Sequence, residues 1–380
     1  ARVNEGQSKT NRVITYLLEA ESITLAKDFN KLVSTELPIA SLAALIVNRT
    51  PHVREQAEAI REHLSYVRTF LLSGGREPKE MERIEKGGGF VDPMLKQFSL
   101  STHGFGPVAV VSVIESLAQL MTVIEKSCPS DAVIKSALSP LPHLVQVSNS
   151  FNNSFNASFS SSFNDSGFQS TPKTTPTSAT PQSKRASSSD VDLSLLSVFP
   201  NDGIIYNDSI PPRIAYDAEP LQVTIGELRR RAYGPEKFTV SLMNSYLRKG
   251  KKVNTHNNLR DDLCRYGIEM KPSKGLKPTS WSSLTETEAT YLSADVVNCL
   301  GYLPPSQDLR KHFKDNSHTT NWLKFIAGTV REAMFRIQLD PIQSKVETQA
   351  DVDLMRFALI THHFGNSFYA SVMQWLQNLG

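Results

Sequence analysis

Between Arg229 and Lys271 the chain carries eleven lysines and arginines against four acidic residues, and this imbalance is its clearest chemical signal. The charges come in runs: Arg229-Arg230-Arg231, then Arg248-Lys249-Gly250-Lys251-Lys252, then Arg260. Cations that are not interleaved with acids suit a polyanion, because each one that neutralises a phosphate releases a condensed counterion. Arginine adds a rigid fork that pairs bidentately with O6 and N7 of guanine. Arg230, Arg231, Arg248 and Arg260 are therefore the candidates for base or phosphate contact, and Lys249, Lys251 and Lys252 for phosphates as flexible point charges. The net charge of the whole chain is only +3, so an excess of seven here leaves the remainder near −4 and confines the basic character to one face.

No other constellation in the sequence builds an active site. His103 and His362 each precede a helix and read as structural, since no Ser or Cys nucleophile pairs with either in a recognisable pattern. His312, His318, His362 and His363 lack metal-ligand spacing, and Gly74-Gly75 and Gly87-Gly88-Gly89 lack the Lys-Ser/Thr of a phosphate loop. Trp281, Trp322 and Trp375 sit among apolar helical positions and read as core. Cys128, Cys264 and Cys299 are too scattered for a disulfide framework and read as reduced thiols of an intracellular protein. The expectation is a protein that is not an enzyme and needs no cofactor or metal.

The elements that must hold the basic segment occur twice. Residues 98–106 and 357–365 share Phe-x-Leu-x-Thr-His-x-Phe-Gly, and each copy runs into an amphipathic stretch. At a constant offset of 259, Val110, Val113, Ile114, Leu117 and Leu120 fall on Tyr369, Val372, Met373, Leu376 and Leu379. Upstream, at an offset of 267, Leu25, Asp28, Phe29, Leu32 and Val33 fall on Leu292, Asp295, Val296, Cys299 and Leu300. Two anchors in the same order describe a duplicated helical module, with the stripe residues as its core and dimerisation face. The predicted fold is mainly α: module one over 11–127, module two over 281–380, and a small strand- and loop-containing basic region over 218–280.

Within module one the spacing predicts helices over Leu17–Ser34, from Pro38 onward, over Val53–Leu72 and from Gly106 to Lys126, with an exposed excursion over Arg76–Val91. In the basic region Leu221–Ile225 alternates as a strand, Leu242–Arg248 reads as a short helix and Asn254–Asn258 as a polar loop. Gly106 and Gly365 read as the backbone-permissive sites of the repeated corner. Residues 148–200 change character: Phe151, Phe155, Phe159, Phe163 and Phe168 punctuate Ser and Asn, and Thr-Pro steps follow. Ser and Asn compete with the helical backbone and Thr-Pro rejects it, so this reads as a disordered linker. No apolar run reaches the length of a membrane span. The opening Ala1-Arg2-Val3-Asn4 reads as that of a processed piece or fragment.

At these residues the chain resembles the activator protein 2 (AP-2) family of transcription factors. The matches are Glu19-Ala-Glu21…Leu25-Ala-Lys-Asp28-Phe29, Ser101-Thr-His103-Gly104-Phe105-Gly106, Val223-Thr224-Ile225-Gly226-Glu227-Leu228, and Leu247-Arg248-Lys249-x-Lys251 followed by Leu259-Arg260 and Leu263. The resemblance covers 221–380 as a unit and 12–126 as a second helix-span-helix part. It implies a nuclear factor that binds GC-rich palindromes in double-stranded DNA through a basic region. Pairing of the helical modules would follow, as a homodimer or as a pseudo-dimer within one chain. The chain departs from the family where Thr255-His256-Asn257 replaces a Gly-Gly-Arg run, and the first module lacks its basic region. Two other readings therefore stay open: a dimerisation partner that does not bind DNA, and a nonspecific nucleic-acid scaffold. For the linker, limited proteolysis should cut within 148–189 and leave two resistant halves; resistance throughout would contradict a disordered tether.

Overall fold

Proline and glycine set the first helical boundaries. In a computed structural model, α1 (Glu19–Glu36) ends before Pro38, which stands at the N-cap of α2 (Ile39–Arg49). Then α3 (Val53–Leu72) stops at Gly74, whose φ of 70° a Cβ-bearing residue adopts only with strain. After these come α4 (Pro93–Ser101), with Asp92 capping the amides of Met94 and Leu95, then α5 (Phe105–Lys126) and α6 (Asp131–Leu138). The structure describes residues 14–74, 92–126, 129–140, 203–206, 210, 221–248, 255–270, 275–301, 303, 307–337 and 346–379. The excursion expected over Arg76–Val91 and the linker of 148–200, with its phenylalanines, lie outside them.

Among the described residues the basic region supplies α7 (Ile225–Tyr233), α8 (Val240–Tyr246) and α9 (Thr255–Arg265). A second series follows: α10 (Glu286–Gly301), α11 (Gln307–Asp315), α12 (Ser317–Arg336), α13 (Gln349–Ile360) and α14 (Phe364–Gln377). The architecture is mainly helical, and the described residues contain no strand. The strand expected over Leu221–Ile225 is corrected to two isolated bridges, Ile205 with Thr224 and Ile210 with Leu221, because Thr224 caps α7 and turns the chain into helix. The polar loop expected over Asn254–Asn258 is helical from Thr255.

The long helices of each series bury their apolar stripes against their own neighbours: α5 on α1, α2 and α3, and α14 on α10 and α12. Val110, Val113, Ile114, Leu117, Leu120, Tyr369, Val372, Met373, Leu376 and Leu379 are all fully buried. The expectation that no stretch has the apolar length of a membrane span is corrected by α5, which has it. Most of its apolar residues are buried against other helices, Val108 being exposed, as in the core helix of a folded domain.

The two series also pack on each other, and all described residues except Pro140 belong to one compact unit, Ala1–Ser139 with Asp192–Gly380. Phe105 and Phe364, equivalent at the 259 offset, meet edge-on with centroids 5.6 Å apart. Phe29, Phe368 and Trp281 close around them, Phe29 lying 5.3 Å from Phe364 and Trp281 4.6 Å from it. Such edge and tilted pairs each contribute about 0.5–1.5 kcal/mol beyond burial. Polar contacts cross the same seam reciprocally. Asp295 accepts from the amide of Ile14 (3.1 Å) while its equivalent Asp28 accepts from the amide of Ser280 (2.7 Å). The turns Ile14–Tyr16 and Trp281–Ser283 thus each lean on the helix of the other series. The indole N–H of Trp281 donates to the carbonyl of Leu25 (3.1 Å), and Ser116 and Tyr369 share a 2.8 Å hydrogen bond.

The repeated corner corrects the glycine assignment. Positive φ falls on His103 (49°) and Gly104 (83°) in one series and on His362 (49°) and His363 (66°) in the other. Gly106 and Gly365 are helical and needed for closeness instead. A Cβ on Gly106 would lie 2.4 Å from the Phe98 ring, and one on Gly365 2.6 Å from Thr361 Oγ1 and 2.7 Å from the Phe357 ring. The threonine hydroxyls accept the amides of Gly106 (3.0 Å) and Gly365 (3.1 Å), so neither neighbour can withdraw freely. Gly365→Ala should therefore lower unfolding stability by about 1–3 kcal/mol in chemical denaturation, and an unchanged midpoint would contradict this packing.

Candidate nucleic-acid interface

The basic region folds around an apolar centre of its own. Val223, Ile225, Leu228, Phe238, Met243, Tyr246, Leu247, Leu259, Leu263 and Ile268 are buried together. Thr224 and Thr239 cap α7 and α8 through the amides of Glu227 (3.0 Å) and Leu242 (3.3 Å). The helical period then decides which cations reach solvent. Arg248, at φ 53° just after α8, is exposed, as are Arg260 and Arg265 on α9. Arg260 also donates to the carbonyl of Met270 (3.3 Å). Lys249, Lys251 and Lys252 lie outside the described residues.

Arg230 and Arg231 are the exception, and their assignment to an exposed nucleic-acid surface is corrected. They are 5% and 1% exposed. Arg230 grips Glu286 at the start of α10 with two bonds of 2.7 Å. Arg231 pairs with Glu236 (2.8 Å) and, one helical turn back, with Glu227 (3.3 Å). It also donates to the Leu284 carbonyl and to the ring of His362, and its guanidinium stacks 4.9 Å from the centroid of Tyr246. Buried guanidinium groups need such partners, because an uncompensated charge away from water is prohibitively costly. Arg229 is likewise buried, donating to the carbonyl of Tyr266 (2.7 Å). The sequence reading missed Glu227, Glu236, Glu286 and Tyr246; the spacing of four between Glu227 and Arg231 was the available signal.

This network clamps α7 to α10 and to the corner before α14. Glu227 Oε1 alone accepts from Tyr246 (2.5 Å), from the Glu286 amide (2.9 Å) and from Arg231. Burial, and then the charge of Glu286, raise its pKa to about 7. Against the cost of burial, Arg231 holds Glu236 at about 2, and Arg230 does the same for Glu286. Burial keeps His362 below its ordinary range, with Arg231 adding to the shift, and depresses His363 to about 4. Both ring nitrogens of His363 lack a hydrogen-bond partner among the described residues, consistent with a neutral imidazole retained for shape. His103, the counterpart of His362, is half-buried.

The described residues form a mainly helical protein in which the stretch 221–270 packs around an apolar centre of its own and is tied to the start of α10 by the buried Arg230–Glu286 pair. A model of the Transcription factor AP-2 family matches residues 2–124 and 209–380. The chain is 28% identical over 189 residues to human Transcription factor AP-2-delta, covering 45% of this chain and 42% of that protein. It is 25% identical over 189 residues to human Transcription factor AP-2 gamma, with the same shares covered. It is 24% identical over 172 residues to Transcription factor aptf-1 of Caenorhabditis elegans, covering 40% of this chain and 47% of that protein. The match therefore spans less than half the length of these relatives. The chain belongs to the AP-2 family, whose members are transcription factors and not enzymes.

Titration of the clamp has opposing signs. Glu236 and Glu286 stabilise the fold fully above their ordinary 4.5 and lose that contribution as pH falls towards 2. His363 contributes fully above 6.5 and less as pH falls towards 4. Glu227 runs the other way: its contribution is complete below 4.5 and is lost as pH rises through about 7. Glu227→Gln keeps Oε1 as acceptor and removes that loss, so the variant should gain stability relative to the parent between pH 4.5 and 7 in denaturation midpoints. A difference that does not vary with pH would contradict the burial of an ionising carboxyl here. Arg231→Met should cost about 3–5 kcal/mol, because it strands the carboxylates it pairs.

Proposed function

We propose that this chain is a nuclear, sequence-specific DNA-binding transcription factor that acts on GC-rich palindromic sites and regulates transcription by RNA polymerase II. The basic segment of 218–280 meets double-stranded DNA, and two helix-span-helix modules, 11–127 and 281–380, pair to place it. One observation carries the reading: the family match runs unbroken from 209 to 380, across the basic segment and the second helical series together.

The exposure of Arg248 and Arg260 supports a cationic surface beside the clamp, continued in sequence by Lys249, Lys251 and Lys252. DNA contact falls to these five, with Arg265 added, while Arg230 and Arg231 are assigned to hold the surface in place. Pairing of the modules within one chain, in place of a homodimer, is supported by the reciprocal bonds of Asp28 and Asp295 and by the meeting of Phe105 with Phe364. Equivalent residues that meet, with contacts exchanged both ways, are the signature of a two-fold interface. A two-fold arrangement suits palindromic sites. A second reading, a pairing partner that binds DNA poorly, is favoured by Asn257, which stands where the family resemblance implies an arginine.

Titration with GC-palindrome duplex, scrambled duplex and single-stranded RNA separates these readings. Four cations on phosphates contribute about −0.9 each to the slope of log affinity against log salt. Replacing Arg248, Lys249, Lys251 and Lys252 by Ala should flatten that slope by about 3–4 and weaken all duplexes alike. Arg260→Ala, if it reads a base, should cost about 1–3 kcal/mol and blunt preference for GC sites. A folded quadruple variant with unchanged affinity and slope would overturn the assignment.

A further inference from the structure

The clamp between α7 and α10 does not balance its charges. Three buried carboxylates, Glu227, Glu236 and Glu286, meet two buried guanidinium groups, Arg230 and Arg231. Arg229 on α7 and Glu288 on α10, each buried too, cancel and leave the excess unchanged. An odd negative charge this deep is costly, so the cluster is neutral only when it holds one proton. The imidazoles are poor places for that proton. His362 Nε2 already takes an N–H of Arg231, and both ring nitrogens of His363 lack a partner among the described residues. Among the carboxylates, Glu286 has two 2.7 Å bonds from Arg230, and Glu236 has a 2.8 Å bond from Arg231. Glu227 has the longer 3.3 Å bond from Arg231 and lies within reach of the Glu286 charge, so it gains most from protonation.

We infer that this clamp couples DNA binding to one proton on Glu227, so that the chain holds duplex more weakly as pH rises through neutrality. The inference rests on the DNA-binding reading above. Glu227 is faced by Arg230 and Arg231 from its own helix, Tyr246 from α8 and Glu286 from α10. Glu236 after α7, and His362 and His363 before α14, complete the cluster. Protonated, Glu227 leaves the two guanidinium groups matched to Glu236 and Glu286, and α7 is held to α10. Ionised, it sets a second negative charge near Glu286 away from solvent, which favours parting of the two helices. Because α7 shares one apolar centre with α8 and α9, Arg248 and Arg260 lose their fixed position when the clamp loosens. Burial and the charge of Glu286 raise the Glu227 pKa to about 7, which sets where the change falls.

The test is binding of a labelled GC-palindrome duplex to the full chain at fixed salt, between about pH 6 and 8.5, read by fluorescence anisotropy. Affinity should fall above about pH 7 with a slope approaching tenfold per pH unit, the linkage of one proton. Glu227→Gln cannot ionise and should show no such fall. Tyr246→Phe removes a bond that favours the ionised carboxyl and should move the fall to higher pH. The same fall at the same midpoint in Glu227→Gln would put the proton on another residue, such as His256 at the start of α9, and overturn the inference. If Glu227→Gln does not fold, an unshifted midpoint in Tyr246→Phe has the same force. Constant affinity of the parent across the range also overturns the coupling and leaves the DNA-binding reading intact. Absence of duplex binding at every pH ends that reading, and the inference with it.

Discussion

The contact on which the rest depends is the edge-on meeting of Phe105 and Phe364, walled by Phe29, Phe368 and Trp281. Each of these rings is fully buried, so neither helical series could keep this face in water. The seam fixes where α5 and α14 cross. It also fixes why Gly106 and Gly365 must stay small, since both lie within a turn of the phenylalanines that open those helices. The exchanged bonds of Asp28 and Asp295 then set direction: each turn ahead of a series is held by the first helix of the other.

Electrostatics attach the basic region to this frame. An isolated arginine in the position of Arg231 would be untenable; with Glu227, Glu236, His362 and a carbonyl around it, the guanidinium becomes a rivet. Buried ion pairs contribute little net stability compared with apolar packing, but breaking one is expensive. Their value is specificity of arrangement. Arg230 and Arg231 orient α7, and α7 shares an apolar centre with α8 and α9, so the exposed Arg248 and Arg260 inherit a defined position.

Much of this was legible in the sequence, for identifiable reasons. The helix Val53–Leu72 is found where its period placed it, and the ten stripe residues are all buried, because a wide apolar face at helical spacing has no other use. The corner was less legible: glycine identity pointed to Gly106 and Gly365 as the permissive sites, yet the positive φ falls on Gly104 and on His363 (66°), because the chain turns just before both helices. Arg230 and Arg231 were misread because charge alone does not reveal burial. Their partners Glu286 and His362 lie 56 and 131 positions from them, beyond any local pattern, and Glu236, 5 positions on, falls past the end of the helix. Asn254–Asn258 was misread because polar turn formers at a helix start resemble a loop.

The central claim is that the paired surface is satisfied within one polypeptide. Light scattering on the full chain over a hundredfold dilution tests it most directly. The account predicts a mass near the 42.2 kDa of a single chain at every concentration. A two-chain mass that persists on dilution would contradict it.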